Sequence, residues 1–542
     1  MSTAAAAAAP APATPPPIDS HAAGRFDDFS DKLSPMLVKE LRQGLRAKTF
    51  VIVFLALQGL LATVLLISVS ASETQEAGES VSKVIFFFFS LAVLVVQPLR
   101  GVGALHNEIK GNTIDLMVLT RLGAWRIVLG KWVAIVSQSA LLLTAIVPYL
   151  ILRYFFGGMN LFAELLLMLL IFLGSTVFTA FTVGLSAIGP ILIRGLVPLA
   201  IAFGFAWGIC AIIFDRNDLQ QLIELLSLQN KGYVWGLLAF VLGGAYLGWI
   251  SLGFGTSHIA PKAENHSTAR RLIALGAVLL SGVLAHLGDF NDEVVMVMMG
   301  FFCVPAVLVS LTEPFQLLPP ICRPFVRLGA LGKLAGRVLY PGWPSGILYT
   351  GILLALAGGI CYTMPDSHAM YRTAGAVREE YIILAMCVGS LLLPAVMLRI
   401  FGRMVRQPLA FYLLMFALMA AVAIALGIIT DETKRTSPTG YVWFFSWVPP
   451  VDLVLMDIIR WEHYESFRSH LAGGGAPVSY PPPGAPDYKP VLMCAIITAA
   501  VYYATLLVFA LRAFSQLREI EAEAESPPAR LTEPEPQPDP VP

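Results

Sequence analysis

The chemically most suggestive stretch of the chain is a charged insert, residues 106–131, that lies between two long apolar runs. Ile114, Met117, Val118 and Leu122 recur there at the spacing of one helix face, which predicts a short amphipathic helix. A helix held at both ends by membrane spans would transmit movement through ion pairs and an apolar face.

The sequence lacks the spacing of the common catalytic motifs. It contains no G-x-x-x-x-G-K-[ST] phosphate loop, no HExxH and no GxSxG. A phosphate loop needs backbone N–H groups around the phosphates and a lysine that reaches them, so ATP-driven work would require a partner chain. His258, His266 and His286 are scattered and indicate no metal site. We therefore expect no enzymatic activity and no cofactor in the chain itself.

The composition is that of a membrane protein. Of the 542 residues, 57% are hydrophobic and only 13% are charged, and the mean hydropathy is +0.73. Soluble domains carry about twice that share of charge, and the apolar runs here have the length that crosses a bilayer, roughly 20 residues. We predict an all-α polytopic membrane protein whose partner is the lipid bilayer. The net charge of zero indicates no nucleic-acid partner.

About twelve apolar runs are long enough to be transmembrane helices. They cover residues 50–70, 84–104, 127–152, 161–188, 196–214, 234–254, 271–287, 294–312, 344–364, 380–399, 409–429 and 490–513. Most of the lysines and arginines fall on the side of the N-terminus, which predicts that both termini are cytoplasmic.

A basic amphipathic segment precedes the first span and predicts an N-terminal elbow helix in the membrane interface. Ser34 suits the N-cap of this helix and Pro35 its first turn. The apolar face holds Leu37, Val38, Leu41 and Leu45, and the opposite face holds Lys39, Glu40, Arg42 and Arg46.

Two further segments are more than linkers in this prediction. Residues 215–233 carry Leu219, Leu222, Ile223 and Leu226 on one face, which indicates a short surface helix. The aromatic first half of the loop 430–489 is expected to lie on the outer interface, because aromatic residues favour the headgroup level.

Five polar residues lie within the predicted spans or at their ends, where polar side chains are rare. Gln58, Gln97, Arg100, Gln138 and Glu164 belong to this group. We expect Gln97-Pro98 to kink the second span, Arg100 to reach toward the inner surface, and Glu164 to face the headgroups. The six cysteines form no CxxC pair, and five lie in or beside apolar runs while Cys322 lies in a connecting loop. Buried free thiols are the expected outcome.

The order of elbow, span, loop, span and charged insert, followed by four spans with a surface helix between the last two, resembles the permease subunit of type-2 ABC exporters. The entry segment SPMLVKELRQGLRAKTF is similar to the family's NPxxxKELRxxxR. The insert is similar to its E-x-x-x-GT-x-E-x-LL-x-TP…GK segment, matched by Glu108, Thr113, Asp115, Leu116, Leu119, Thr120, Gly130 and Lys131. Asn112 stands for the family's glycine, Asp115 for its glutamate and Arg121 for its proline.

The resemblance implies a coupling helix at about 106–126 that docks on a separate ABC ATPase subunit, and a permease dimer, homo- or heteromeric, in a bacterial-type inner membrane. The implied contact residues are Glu108, Thr113, Asp115, Leu116, Met117, Leu119, Thr120 and Arg121, and the elbow residues are Lys39, Glu40, Leu41, Arg42 and Arg46. The resemblance covers residues 33–258.

The predicted organisation has four parts. Residues 1–30 form a disordered Ala/Pro-rich tail, 31–258 a six-span permease-like domain, 259–513 a further six-span domain, and 514–542 an acidic Pro-rich cytoplasmic tail. Two other functions stay open: a secondary transporter of twelve spans, and a non-transporting membrane protein that serves docking or assembly.

Overall fold

A computed structural model describes most of the chain, and the described residues are helices and their connections. These residues are 35–70, 75–112, 123–154, 161–214, 216–228, 230–261, 264–365, 379–402, 404–433, 439–460 and 488–525. The predicted tail 1–30 and the residues 113–122 of the charged insert lie outside them.

The first half of the chain begins with the predicted elbow segment as a helix and continues with six apolar spans. The helices are α1 (Pro35–Leu45), α2 (Lys48–Ser70), α3 (Gln75–Ser90), α4 (Gln97–Leu99), α5 (His106–Lys110), α6 (Ala124–Tyr154), α7 (Leu161–Leu185), α8 (Val197–Phe214), α9 (Arg216–Leu226) and α10 (Lys231–Ile259). The helix predicted between the fifth and sixth spans is present as α9, and its Leu222, Ile223 and Leu226 pack against the core of the first half.

The second half holds six more spans, two short helices and a hairpin. The helices are α11 (Ser267–Leu287), α12 (Asp292–Thr312), α13 (Pro319–Val326), α14 (Gly329–Leu339), α15 (Trp343–Tyr362), α16 (Glu379–Ile400), α17 (Pro408–Thr433), α18 (Thr439–Phe444), α19 (451–460) and α20 (Lys489–Glu525). In the described part of the chain, twelve helices have the length and hydropathy to cross a membrane, so the prediction of twelve spans is confirmed.

The second span is a broken helix, as Gln97-Pro98 predicted. It passes from α3 into a π-helical turn, Leu91–Val96, then α4, and then a 3₁₀ turn, Arg100–Gly103. The break displaces backbone carbonyls from regular helical bonding, and hydroxyls of α7 compensate for part of that loss. Ser175 Oγ donates to the carbonyl of Val93 at 2.6 Å, and Thr182 Oγ1 donates to that of Pro98 at 2.8 Å. These bonds let an irregular backbone persist inside an apolar bundle.

The region between α12 and α15 is helical, which corrects the prediction that Cys322 lies in a loop. Cys322 is fully buried in α13, where α13 packs against the end of α20. Burial, together with the negative charge of Glu521, raises the pKa of the Cys322 thiol to about 11, so this thiol stays protonated and unreactive near neutral pH. The last helix also extends to Glu525, past the residue 513 at which the sequence predicted its end.

Residues 439–460 do not lie flat on a membrane surface, in contrast to the prediction for the first half of the long loop. They form a hairpin of α18, a turn and α19 that packs between α16, α17 and α20. Val442, Val451 and Leu455 are at most 1% exposed. The apolar and aromatic composition that suggested interface placement is instead satisfied by burial in the protein.

Candidate functional site

Lys131, near the start of α6, joins three parts of the chain. Its Nζ lies 3.0 Å from Glu40 Oε1 of α1 and 3.1 Å from Glu108 Oε1 of α5. The Lys131 side chain is only 7% exposed, and the two carboxylates are 19% and 21% exposed. We call Glu40, Glu108 and Lys131 the junction. Because charge-assisted bonds are stronger away from water, the junction holds the elbow helix and both described ends of the charged insert together.

The junction explains why Glu40 is less exposed than the charged residues beside it on the elbow helix. Lys39, Arg42 and Arg46 are exposed, as expected for the solvated face of the elbow helix, whereas Glu40 is half-buried and faces Lys131. Leu41 is also half-buried. The sequence motif included Lys131 but assigned it no role, because nothing local shows that a residue 91 positions from Glu40 would pair with it.

A second polar contact lies on the same side of α6 and reaches the broken span. Arg100 Nη1 donates to Gln97 Oε1 at 3.1 Å and to Gln138 Oε1. Gln138 also touches α1, since a Cβ placed on Gly44 would lie 2.1 Å from its Nε2. The sequence predicted that Arg100 reaches toward the inner membrane surface, and this stays a prediction. The structure shows the Arg100 guanidinium between the second and third spans, where it donates to two amide oxygens.

The remaining predicted coupling residues lie outside the described part of the chain. These are Thr113, Asp115, Leu116, Met117, Leu119, Thr120 and Arg121. The described residues end on one side at Asn112 and resume at Gly123. The amphipathic coupling helix therefore stays a prediction, whereas its two flanks are anchored by Glu108 and Lys131.

Glu164 is buried rather than directed at headgroups. It is 2% exposed and accepts a hydrogen bond from Ser82 Oγ at 3.3 Å. The prediction was wrong because the helix of the second span starts earlier than expected. The helix α3 begins at Gln75, whereas the predicted span began at residue 84. Ser82 is therefore ordered beside the start of α7 and supplies a polar partner there.

A third cluster, in the second half, was not found from the sequence. Glu313 bridges Arg270 and Arg271, with an N···O distance of 3.0 Å to each. The three side chains are 7%, 3% and 12% exposed for Arg270, Arg271 and Glu313. Both arginines belong to the basic residues whose distribution predicted the cytoplasmic side, and the only further signal in the sequence was the doubled arginine at the start of an apolar run.

The arginine cluster is a structural joint rather than a ligand pocket. Arg271 also donates to the carbonyls of Val338, Tyr340 and Gly342. Gly342 returns a backbone N–H to Glu313 Oε2 at 3.0 Å, in a conformation with φ of +108° that favours glycine. The adjoining cavity has a volume of about 10 Å³, enough for one water molecule at most.

Asp452, in the hairpin, is a further buried carboxyl that the sequence did not single out. It is 0% exposed, and neither of its carboxyl oxygens has a hydrogen-bond partner in the part of the chain that the structure describes. Among the described residues, no group of three or more His, Cys, Asp or Glu side chains is placed to hold a metal ion.

The twelve apolar helices define the class of the molecule as a multi-pass integral membrane protein. No protein-family model, no curated protein sequence and no solved structure matches the chain. Its function is therefore argued from the junction, the broken span and the buried charges.

Proposed function

We propose that the chain is the permease subunit of an ATP-driven exporter, moved by a separate ATPase subunit that docks on residues 106–126. The permease works as a dimer in a bacterial-type inner membrane, and ATP is hydrolysed only on the partner. The observation that carries this proposal is the junction, in which Lys131 ties the elbow helix to both flanks of the charged insert.

The junction suits a part that receives force. A push on the insert reaches Glu108 and Lys131 at its two flanks, and through Glu40 it also reaches α1. Because α1 and α6 pack along each other, the elbow helix and the third span move as one unit. Ion pairs shielded from water resist such a load better than exposed ones.

The broken second span supplies the flexible part. Arg100 and Gln138 connect its inner portion to α6, so this portion follows the third span. The π-helical turn Leu91–Val96 lies directly above, and irregular helical turns are where membrane helices bend. The inner portion of the span can then tilt while α3 stays fixed, which would open or close a path at the permease dimer interface.

The test is a charge reversal on the insert. We expect Asp115→Lys combined with Arg121→Glu to abolish co-purification with an ATPase subunit and to reduce nucleotide hydrolysis by the membrane complex to background. The matched control is Glu264→Lys with Arg327→Glu, because both residues are exposed and lie far along the chain from the insert. A complex that keeps its ATPase through the insert reversal would refute the proposal.

A second candidate is a secondary transporter of twelve spans. Two observations favour it: discontinuous helices are typical of such transporters, and a buried carboxyl in the membrane domain is typical of ion-coupled transport. The purified chain in proteoliposomes decides between the two. Flux that follows an ion gradient without nucleotide supports the secondary transporter, and flux that requires the ATPase subunit and ATP supports the exporter.

A further inference from the structure

The hairpin 439–460 enters the helix bundle from one end and turns inside it. At the open end, Arg460 Nη2 lies 2.7 Å from Glu379 Oε2, the first residue of α16. Deeper, Val454 packs on Gly427 of α17, where a Cβ would lie 3.9 Å from it. At the turn, a Cβ on Gly389 would lie 2.9 Å from Pro449. From Arg460 to Pro449, successive hairpin residues therefore contact positions progressively deeper along the spans.

The turn of the hairpin lies near the middle of the membrane. Gly389 is at the centre of α16, a helix of 22 residues, and a helix rises about 1.5 Å per residue. A helix of this length matches a hydrocarbon core about 30 Å thick, so its centre lies about 15 Å from either surface. The hydroxyl of Tyr502, from within α20, donates to the carbonyl of Trp447 in the same turn. Residues 439–460 are thus a re-entrant hairpin.

Asp452 lies three residues beyond this turn, in the first turn of α19. The core of the hairpin is formed by apolar side chains of the hairpin and of all three neighbouring spans, with the aromatic rings of Trp443, Phe445, Tyr488 and Tyr502 among them. It includes Ile382, Leu393, Met419, Leu426, Val448, Val451, Leu455 and Val491. A carboxylate buried in such a place without hydrogen bonds is strongly disfavoured, and the neutral carboxylic acid is favoured.

Among the described residues, no lysine or arginine offers Asp452 a compensating positive charge at its level. Tyr502 of α20 is close enough to Asp452 for an electrostatic interaction, but its hydroxyl donates its hydrogen bond to the carbonyl of Trp447. The described span of α17, Pro408–Thr430, has Tyr412 as its one titratable side chain. At the open end, the hairpin and its neighbours carry the charged residues Glu379, Glu380, Asp457, Arg460 and Lys489. Arg399 of α16 and Arg512 of α20 lie toward the opposite end of the spans.

The site suits a proton better than a metal ion. Hard cations require several oxygen ligands at once, and among the described residues Asp452 belongs to no group of three or more His, Cys, Asp or Glu side chains that could hold a metal ion. A proton needs one oxygen atom and leaves a neutral side chain that the apolar core accepts.

We propose that Asp452 is a proton-binding site at the turn of the re-entrant hairpin. The carboxyl group binds one proton while the hairpin is seated and releases it to water when the hairpin opens. Proton release leaves a carboxylate that cannot return to the apolar core, so the open state is favoured as pH rises. With the predicted orientation, the hairpin opens toward the outer side of the membrane. This inference does not depend on the ATPase.

The sign of the pH effect follows from the two environments. In water the carboxyl ionises near pH 4, and in the seated hairpin it holds its proton to higher pH. Between those two limits the seated state binds one more proton than the open state, so the seating equilibrium weakens about tenfold for each pH unit. Below the lower limit both states are protonated and the seating equilibrium is independent of pH.

Two measurements on the full-length protein in nanodiscs test the proposal. Infrared difference spectra should show a protonated carboxyl band that disappears as pH rises and is absent in Asp452→Asn. Hydrogen exchange of residues 445–456, corrected for the intrinsic pH dependence of exchange, should increase over the same pH range. Asp457→Asn, on the same helix, is the matched control and should retain both signals.

Asp452→Leu, which keeps the branching of aspartate at Cγ but cannot ionise, provides a second variant that keeps the hairpin seated at every pH. Slow, pH-independent exchange in Asp452→Asn and Asp452→Leu supports the proposal. The proposal is overturned if these variants keep the wild-type pH response. It is equally overturned if the wild-type protein shows no titrating carboxyl band, or shows one that persists at alkaline pH.

Discussion

At the scale of single residues, the junction depends on one cation for two carboxylates. Replacing Lys131 by methionine keeps the aliphatic stem but removes the cation that Glu40 and Glu108 share. We expect the free energy of unfolding to fall by about 2 kcal/mol, between the values for exposed and buried ion pairs. The melting temperature of the detergent-solubilised protein measures this loss.

The control for this substitution is Lys48→Met. Lys48 is exposed at the start of α2, so its replacement should leave the melting temperature nearly unchanged. Equal melting temperatures of the Lys131 and Lys48 variants would show that the junction adds nothing to stability.

The arginine cluster should be more sensitive. Glu313→Gln leaves Arg270 and Arg271 buried with like charges and no counter-ion. Removing one partner from a buried ion pair costs about 3 kcal/mol or more, and we expect a loss of that size or a failure to accumulate in the membrane. Glu264→Gln removes an exposed pair with His266 and should be silent. A Glu313→Gln protein as stable as this control would mean that the arginines are hydrated.

At the scale of elements, the last helix is more than a span with a tail. Beyond the predicted end at residue 513, Leu517, Glu521 and Ala524 are buried. Arg337 of α14 pairs with Glu521 at 3.2 Å, and Lys333 pairs with Glu525 at 2.5 Å. The short helices α13 and α14 therefore require this extension as a packing partner.

Two truncations check this requirement. A chain ending at Glu525 should be produced and should melt like the full-length protein, because it keeps all of α20. A chain ending at residue 513 should be unstable, since it exposes Cys322 and the apolar face of α13. Gel filtration of both proteins in detergent gives the comparison, and an intact, monodisperse shorter chain would contradict the expected role of the extension.

At the scale of the whole molecule, the two six-span halves share a core. Tyr246 and Ile250 of α10 lie in one cluster with residues of α11, α12 and α15. The Tyr246 hydroxyl donates to the carbonyl of Phe302 at 3.0 Å, and Arg270 donates to Ser257 Oγ at 3.0 Å. Any movement driven at the junction is therefore transmitted to, or resisted by, the second half.

A split between residues 263 and 264 tests this coupling. We expect fragments 1–263 and 264–542 to co-purify when they are expressed together, because the shared core is restored without a covalent link. The first fragment expressed alone should aggregate or be degraded, since Tyr246 and its neighbours would be exposed. A stable, monodisperse first fragment would show that the halves are independent units.

The sequence by itself determined the helices, the number of spans and the break in the second span. These features depend on short-range properties: apolar run length, helical periodicity and the missing N–H of proline. The helices α1 and α9 were also predicted from the sequence, because the apolar residues of an amphipathic helix recur at a spacing that a single segment displays. Glu40 and Glu108 were recognised as site residues, but only as charged members of a motif.

Only the tertiary structure decided which charges meet. Lys131 and Glu40, or Arg271 and Glu313, are far apart in sequence. The spans have similar hydropathy, so hydropathy does not determine which spans pack beside each other. The same limit explains the errors at Glu164, Cys322 and the hairpin. An aromatic, apolar segment is equally stable at a membrane surface and inside a bundle. Gly389 and Gly427, which leave room for the hairpin, decide between the two only once the spans are in place.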